Sequence, residues 1–371
     1  MWQVFIEPND VLLFRNGKPF AAGEDHRARS FFPPTPFTMQ GMVRAKVLFD
    51  SGVTFADYAH GASNAQDLIL KIGTPGESYG QLRLRGPFVA KRSNDGHIRR
   101  YFPLPADVVK VGNKPILVKP LLDPVFTDNR PIKDLHPLWA RIHEPLEEAR
   151  GWLAEQEFEK YLKGQEFSIT EESDLLLREP RLGIALDYKR RSTQEERIYQ
   201  MEFLRLREGV GLLLEVDGIE PFEPPKGFLQ IGGEARPAYY EVLSKPLNPL
   251  PLPNPLPRRF KVVLLTPAWF TGGWQPQGGN WEQFFTGNGR LVSAAVPRAQ
   301  SIGGAFVDDV RRRSDFQRTM RRFAPAGSVF FFESDGSVTM KGRPFTETPD
   351  HEGDFGHIGF GCAVVTSWDE A

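Results

Sequence analysis

Short apolar runs, most of them strand-length, are spread along this chain and interrupted by two stretches of helical spacing. Trp2 to Phe14 alternates closely enough for a strand followed by a bend. Pro33-Pro34-Thr35-Pro36 then holds the backbone extended, because residues before proline avoid the α region. Thr35 is placed to cap a helix with Pro36 at its first position. That helix is predicted over Phe37 to Asp50, with Met39, Met42, Val43 and Val47 on one face. Leu82 to Val89 reads as a strand broken at Gly86-Pro87. His136 to Lys163 carries a long helical pattern, with Leu138, Ile142, Leu146 and Leu153 on a stripe. Gly183–Asp187, Ile198–Leu204 and Gly211–Val216 read as strands, and Phe228–Gly233 closes this half.

The clearest break follows, between Lys245 and Pro257. Six prolines there remove backbone donors and fix φ, so an extended, semi-rigid spacer is expected, with its leucines packed on a surface. The pattern then restarts. Arg259 to Leu265 is a strong strand, and the glycine- and aromatic-rich loop Trp269-Phe270-Thr271-Gly272-Gly273-Trp274 comes next. Ala326–Glu333 and Cys362–Thr366 are further strands. Each half opens on a strand and ends near a glycine-rich turn. The expected fold class is therefore α+β, with two ferredoxin-like (RRM-like) domains and a proline-rich linker. The domains run over residues 1–245, with helical and hairpin insertions, and 258–371; the linker is 246–257.

The length of 371 residues also suits about two domains. Cys362 is the only cysteine, so no disulfide framework or cysteine zinc site can form, which fits a reducing cytoplasm. The start carries no basic, long-apolar signal pattern, and the longest apolar runs are too short for a bilayer, so no membrane partner is expected. Net charge is −1, which argues against a protein that coats nucleic acid over its whole surface. The charges are uneven, however. Between Arg290 and Arg322 eight arginines face only Asp308, Asp309 and Asp315, whereas Glu144 to Glu159 is acidic.

Catalytic chemistry is sparse. No HExxH, CxxC, P-loop or GxSxG motif occurs. His351 and His357, in Asp350-His351-Glu352-Gly353-Asp354-Phe355-Gly356-His357, match no standard metal spacing and read as a polar loop. Asp308-Asp309, beside three arginines, reads as a salt-bridged surface. His26, beside Arg27 and Arg29, is the one candidate base for metal-free RNA cleavage. No cofactor or metal is expected. The glycine clusters are more telling. Gly232-Gly233, Gly272-Gly273, Gly303-Gly304 and Gly359-Phe360-Gly361 recur beside arginines or aromatics. Glycine lets backbone N–H groups face an anion, arginine adds forked donors for phosphate, and aromatics stack unpaired bases. Together with the arginine-rich stretch they point to RNA.

Ile6-Glu7-Pro8-Asn9-Asp10-Val11-Leu12-Leu13-Phe14-Arg15-Asn16-Gly17-Lys18-Pro19-Phe20, then Phe32-Pro33-Pro34 and Gly41-Met42-Val43-Arg44, resemble a RAMP-superfamily subunit. The subunit so resembled is the "module three" subunit of the Cmr-type (type III-B) CRISPR effector complex. The resemblance continues through Gly86-Pro87-Phe88, Arg181-Leu182-Gly183-Ile184, Ile231–Glu234, Thr266-Pro267-Ala268, Pro325–Phe331 and Gly359-Phe360-Gly361. One departure is Gly304-Ala305-Phe306, where the family tends to have Gly-Trp. The resemblance implies a non-catalytic subunit in antiviral defence that captures the 5′ tag of the CRISPR RNA. It also implies a seat beside the large palm-domain subunit and the first backbone RAMP subunit. The residues expected to bind RNA are Gly41, Arg44, Arg298, Gly303, Gly304, Arg311, Arg312, Gly359 and Gly361. The rival readings are a partner-binding face for the arginines, close helix packing for Gly41, a repeat-processing endoribonuclease using His26, and a purely structural adaptor.

Overall fold

A computed structural model of the chain describes residues 1–14, 27–74, 77–123, 126–127, 130–131, 135–187, 192–250, 253, 255–305, 317–336, 338–342 and 344–369. The architecture is mixed α+β, built on antiparallel sheets. It forms two compact units, each gathered from separated stretches. The first comprises Met1–Ile98, Glu172–Pro246 and Ser301–Arg321, and the second Arg99–Glu171, Leu247–Gln300 and Arg322–Ala371. Among the described residues no helix is long and apolar enough to cross a membrane.

In the first unit five antiparallel strands stand in the order Arg83–Arg92, Val210–Asp217, Trp2–Pro8, Arg236–Val242, Lys226–Ile231. The period of two along Trp2–Pro8 puts Trp2, Val4 and Ile6 in one core with Leu212, Leu214, Val216 and Tyr240. Phe5 points to the opposite face. Gly211 is glycine because a Cβ there would come within 2.8 Å of the Phe5 ring and 2.4 Å of the Ile6 carbonyl oxygen. Helix α1 (Pro36–Ser51) covers the core with Met39, Met42 and Val43, as the sequence spacing predicts. Pro36 sits at its start, where a missing N–H costs nothing. The Thr35 side chain makes no cap bond; instead its carbonyl accepts from the Thr38 and Met39 N–H groups at 2.9 and 3.3 Å. Two short helices follow, α2 (Phe55–His60) and α3 (Gln66–Ile72).

The long helix expected over His136–Lys163 does not form. Only α4 (Glu155–Leu162) is helical there, preceded by the short strands Leu138–Trp139, Glu147–Glu148 and Trp152–Ala154. Pro137 and Pro145 cannot donate within a helix, and Gly151 holds φ +134 with the Thr170 carbonyl packed where a Cβ would stand. Trp152 and Thr170 exchange both backbone hydrogen bonds at 2.8 Å, so strand pairing takes this stretch from the helical alternative.

The second unit is built around four antiparallel strands in the order Gly289–Ala295, Val329–Ser334, Arg259–Leu264, Ala363–Ser367. Its first face carries Phe260, Val262, Leu264, Phe330 and Phe332 against Phe270, Trp281, Phe284, Phe285 and Phe345. Trp281 stacks on Phe345 with centroids 5.3 Å apart. The glycine- and aromatic-rich Trp269–Trp274 loop is a lid on this cluster. Phe270 is 1% exposed, and Trp274 packs over Phe330. The cluster draws it in because aromatic pairs add about 0.5–1.5 kcal/mol each beyond the area they bury.

The second face is covered by the inserted 99–171 stretch through polar anchors. Lys261, 6% exposed, meets the fully buried Asp107 at 2.5 Å. The Tyr161 hydroxyl donates to both Asp107 oxygens at 2.8 and 3.0 Å, and the Lys261 ammonium lies 4.2 Å from the Tyr161 ring centroid. Burial first, and then the Asp107 charge, push the Tyr161 hydroxyl well above the usual tyrosine pKa, so it stays a donor. Thr366 Oγ1 donates to the Leu162 carbonyl at 2.6 Å, and Ser293 Oγ to that of His136 at 2.7 Å. The proline-rich stretch also belongs to this unit from Leu247 onward. The Asn248 carbonyl accepts from Arg100 at 2.7 Å, and Leu256 is buried in the aromatic cluster.

Replacing Asp107 by alanine should strand the Lys261 ammonium in the interior. Breaking such a pair costs about 3–5 kcal/mol. Denaturant titration should show that loss for Asp107→Ala, with much of it recovered when Lys261→Met is added.

Candidate nucleic-acid interface

Phe37, Gly41 and Arg44 are spaced i, i+4, i+7 on α1 and therefore share one face. All three are half-buried. A glycine inside a helix costs about 1 kcal/mol relative to alanine. Gly41 is not there to admit a neighbour from within, since nothing among the described residues lies within 4 Å of the point a Cβ would occupy. One turn earlier, the Arg318 guanidinium carbon lies 4.5 Å from the Phe37 ring centroid. Arg318 belongs to the strand Gln317–Phe323, which pairs with Gln300–Ala305. Gly303 and Gly304 sit on that partner strand against Arg318. A Cβ at Gly303 would be 3.7 Å from the Arg318 carbonyl oxygen, and one at Gly304 would be 3.5 Å from Arg318 Cδ. Both are ordinary contacts, and neither glycine has a left-handed backbone. In the first unit, then, three glycines that the described fold does not require lie on α1 and on the strand pair that Arg318 joins to it.

Arg44 takes a part inside the fold. Its Nη2 donates to the Tyr58 hydroxyl at 2.6 Å and the Gly73 carbonyl at 3.4 Å, and its Nη1 to Gln40 Oε1 at 3.4 Å. Tyr58 in turn donates to the Gly73 carbonyl at 2.5 Å. Arg44 thus braces α1 against α2 and the end of α3.

Gly359 and Gly361 are also engaged internally. Both are buried, with φ +106 and +68. The Gly361 N–H donates to the Pro267 carbonyl at 2.8 Å, and its carbonyl accepts from Phe345 at 2.7 Å. The Gly359 carbonyl accepts from Thr266 Oγ1 at 2.7 Å. A Cβ on Gly361 would lie 2.7 Å from the Phe345 carbonyl carbon, so this turn needs glycine for its own closure. Arg298 is exposed in the turn before Gln300–Ala305, within the second unit. Arg311, Arg312, Arg313, His26, Asp308 and Asp309 lie outside the described residues. His357 Nε2 lies 3.5 Å from Asp354, and among the described residues no group of three or more His, Cys, Asp or Glu could hold a metal ion.

The sequence reading passed over Phe37 and did not single out Arg318 within its arginine-rich stretch. The Phe37-x3-Gly41-x2-Arg44 spacing on a helix was the available signal. The Arg318 stack has no local signal, because it joins residues far apart in the chain. A guanidinium plane over an aromatic ring, beside open glycine backbone, suits an unpaired anionic strand: the arginine supplies charge and a stacking plane, and the glycines allow close approach.

The chain is similar at 17% identity to a chain in a structure described as a cryo-EM structure of the type III-B Cmr-beta bound to cognate target RNA. That likeness covers 89% of this chain and 86% of the other, with a TM-score of 0.46. A second structure of the same assembly, with cognate target RNA and AMPPnP, gives 17% identity, the same coverage and a TM-score of 0.45. A chain of a Csm3–Csm4 subcomplex of the type III-A CRISPR-Cas interference complex gives 12% identity over all of both chains, with a TM-score of 0.40. No curated protein matches the chain. The assignment rests instead on the family model for CRISPR-associated protein Cas_Cmr3, which matches residues 4–368. By that match, which runs through both units, the chain belongs to the Cas_Cmr3 family of CRISPR-associated proteins.

Proposed function

We propose that the chain is a non-catalytic subunit of a type III-B CRISPR effector complex, that it holds the 5′ tag of the CRISPR RNA, and that it docks the large palm-domain subunit and the first backbone subunit. The observation that carries this reading is the set of glycines without an internal reason. Gly41, Gly303 and Gly304 stand by the Arg318–Phe37 stack, and a sugar-phosphate backbone is the neighbour that would use that room. Family membership supports the type of assembly.

The strand orders support two ferredoxin-like domains within this reading. In the first unit Arg236–Val242, Trp2–Pro8, Val210–Asp217 and Arg83–Arg92 stand fourth, first, third, second. In the second unit Ala363–Ser367, Arg259–Leu264, Val329–Ser334 and Gly289–Ala295 repeat that order. The stretch from Lys245 to Pro257 joins the two copies. In the second, among the described residues, the 3-10 turns Gln277–Gly279 and Phe355–Ile358 stand where the two helices of the plan belong.

Gly41→Ala separates stability from function. In a helix interior it should stabilise the chain by about 0.5–1 kcal/mol. Binding of a tag-bearing RNA, read by fluorescence anisotropy at fixed salt, should nevertheless weaken at least tenfold. Unchanged binding would remove the proposed contact.

The phosphate contact of Arg318 has its own readout. The log–log salt dependence for single strands has a slope of about −0.7 per neutralised phosphate. Arg318→Ala should flatten it by about that amount in the assembled complex. The competing nuclease reading is tested on repeat RNA without metal: the RNA should stay intact. Cleavage that disappears in His26→Ala would favour an endoribonuclease instead.

A further inference from the structure

A second surface, in the other unit, has the opposite chemistry. The stretch from Trp139 to Glu148 runs over the outside of the second unit. Trp139 is 53% and Leu146 46% exposed. Glu147–Glu148 forms the edge strand of a three-stranded sheet, paired on one side to Lys110 and Val109. Its outer side therefore offers backbone donors and acceptors to a further strand. The surrounding charge is negative. Residues 139–171 hold eight glutamates against Arg141, Arg150, Lys160 and Lys163. Three of those bases already face Asp123, Glu148 and Glu157, and Glu155, Glu166 and Glu171 face Arg100, Lys114 and Lys110 from outside the stretch. Among the described residues Glu144 and Glu147 are exposed and have no ion-pair partner.

We infer that this edge is a docking site for an extended, Lys/Arg-rich segment of another protein chain. Three independent features select that occupant. The open edge favours an added strand, which supplies backbone hydrogen bonds. Glu147 on the edge strand, with Glu144 three residues before it, favours basic residues opposite, since opposite charges across a strand pair are stabilising and like charges are not. Leu146, exposed and next to the edge strand in the chain, gives the apolar anchor that interface cores use. An RNA strand is disfavoured at the same place, because its phosphates would meet the glutamates. The inference rests on the proposed function only for the existence of an assembly, not for tag binding.

The test uses the complete effector complex, produced with all of its subunits and its RNA. Leu146 is replaced by the photo-cross-linker p-benzoylphenylalanine, and the adduct is mapped. A cross-link to a Lys/Arg-rich segment of another subunit is the expected result. A cross-link to RNA, or none to any other macromolecule, overturns the inference. In parallel, Glu144→Lys with Glu147→Lys should lower retention of this chain in the complex at least tenfold. Its thermal midpoint and its tag-RNA binding should be unchanged. Full retention of the charge-reversed chain also overturns the docking site. Intact assembly without tag-RNA binding by the wild-type chain would instead overturn the proposed function alone. Failure of the wild-type chain to enter any complex would overturn both.

Discussion

The second unit depends on one buried ion pair. Lys261 lies on the central strand of the four-stranded sheet, with its neighbours Phe260 and Val262 turned to the aromatic core. Period-two geometry forces its side chain to the other face. There an ammonium would lose its water with nothing in return, unless a counter-charge were brought to it. Asp107 arrives from the inserted 99–171 stretch, and the Tyr161 hydroxyl shares its one proton between the two carboxylate oxygens. The pair therefore acts as a register pin: only one placement of the insertion leaves no uncompensated buried charge. The hydrogen bonds at His136, Leu162 and Thr366 follow from that placement.

Glycines divide into two kinds, and the division bears on function. Gly211 and Gly361 are required by the fold, since a Cβ on either would collide with backbone or a ring. Gly327 is another, with φ +88 and the Leu104 carbonyl oxygen 2.7 Å from its virtual Cβ. Gly41, Gly303 and Gly304 have no such reason among the described residues. Counting glycines treats both kinds alike. The distinction comes from the room around each one. It moves the weight of the RNA-binding reading from the Gly359–Gly361 turn, whose polar groups are engaged inside, to α1 and the strand pair beside it.

Charge is segregated in a similar way. In the first unit, arginines 181, 205 and 236 interleave with Asp10, Glu179 and Glu234 around Phe203, where Arg181 and Arg236 lie over the ring at 4.8 and 5.5 Å. Such balanced networks position strands without creating a field. The Leu146–Glu148 edge differs: among the described residues Glu144 and Glu147 beside it have no ion-pair partner.

Much of this was legible in the chain itself. Apolar patterning gave strands at Trp2, Leu82, Gly183, Ile198, Gly211, Phe228, Arg259, Ala326 and Cys362, and the Thr35-Pro36 start with a 3.6-residue stripe gave α1, because both patterns report which side of a local element meets apolar surface; it passed over Arg236–Val242 and Gly289–Ala295, which stand in the two main sheets. The ordered run of short motifs gave the family. The helix expected at His136–Lys163 failed for a physical reason: a stripe of leucines has no means of reporting that Thr170 will pair with Trp152, and Pro137, Pro145 and Gly151 weigh against helix only once that pairing is available. The Arg318–Phe37 stack and the Lys261–Asp107 pair were equally hidden, since each joins residues more than 150 positions apart. Local pattern thus determined many of the strands and the face each of those buries. Tertiary structure alone decided which arginines and glycines remain open to a ligand, because that depends on what the rest of the chain has already brought against them.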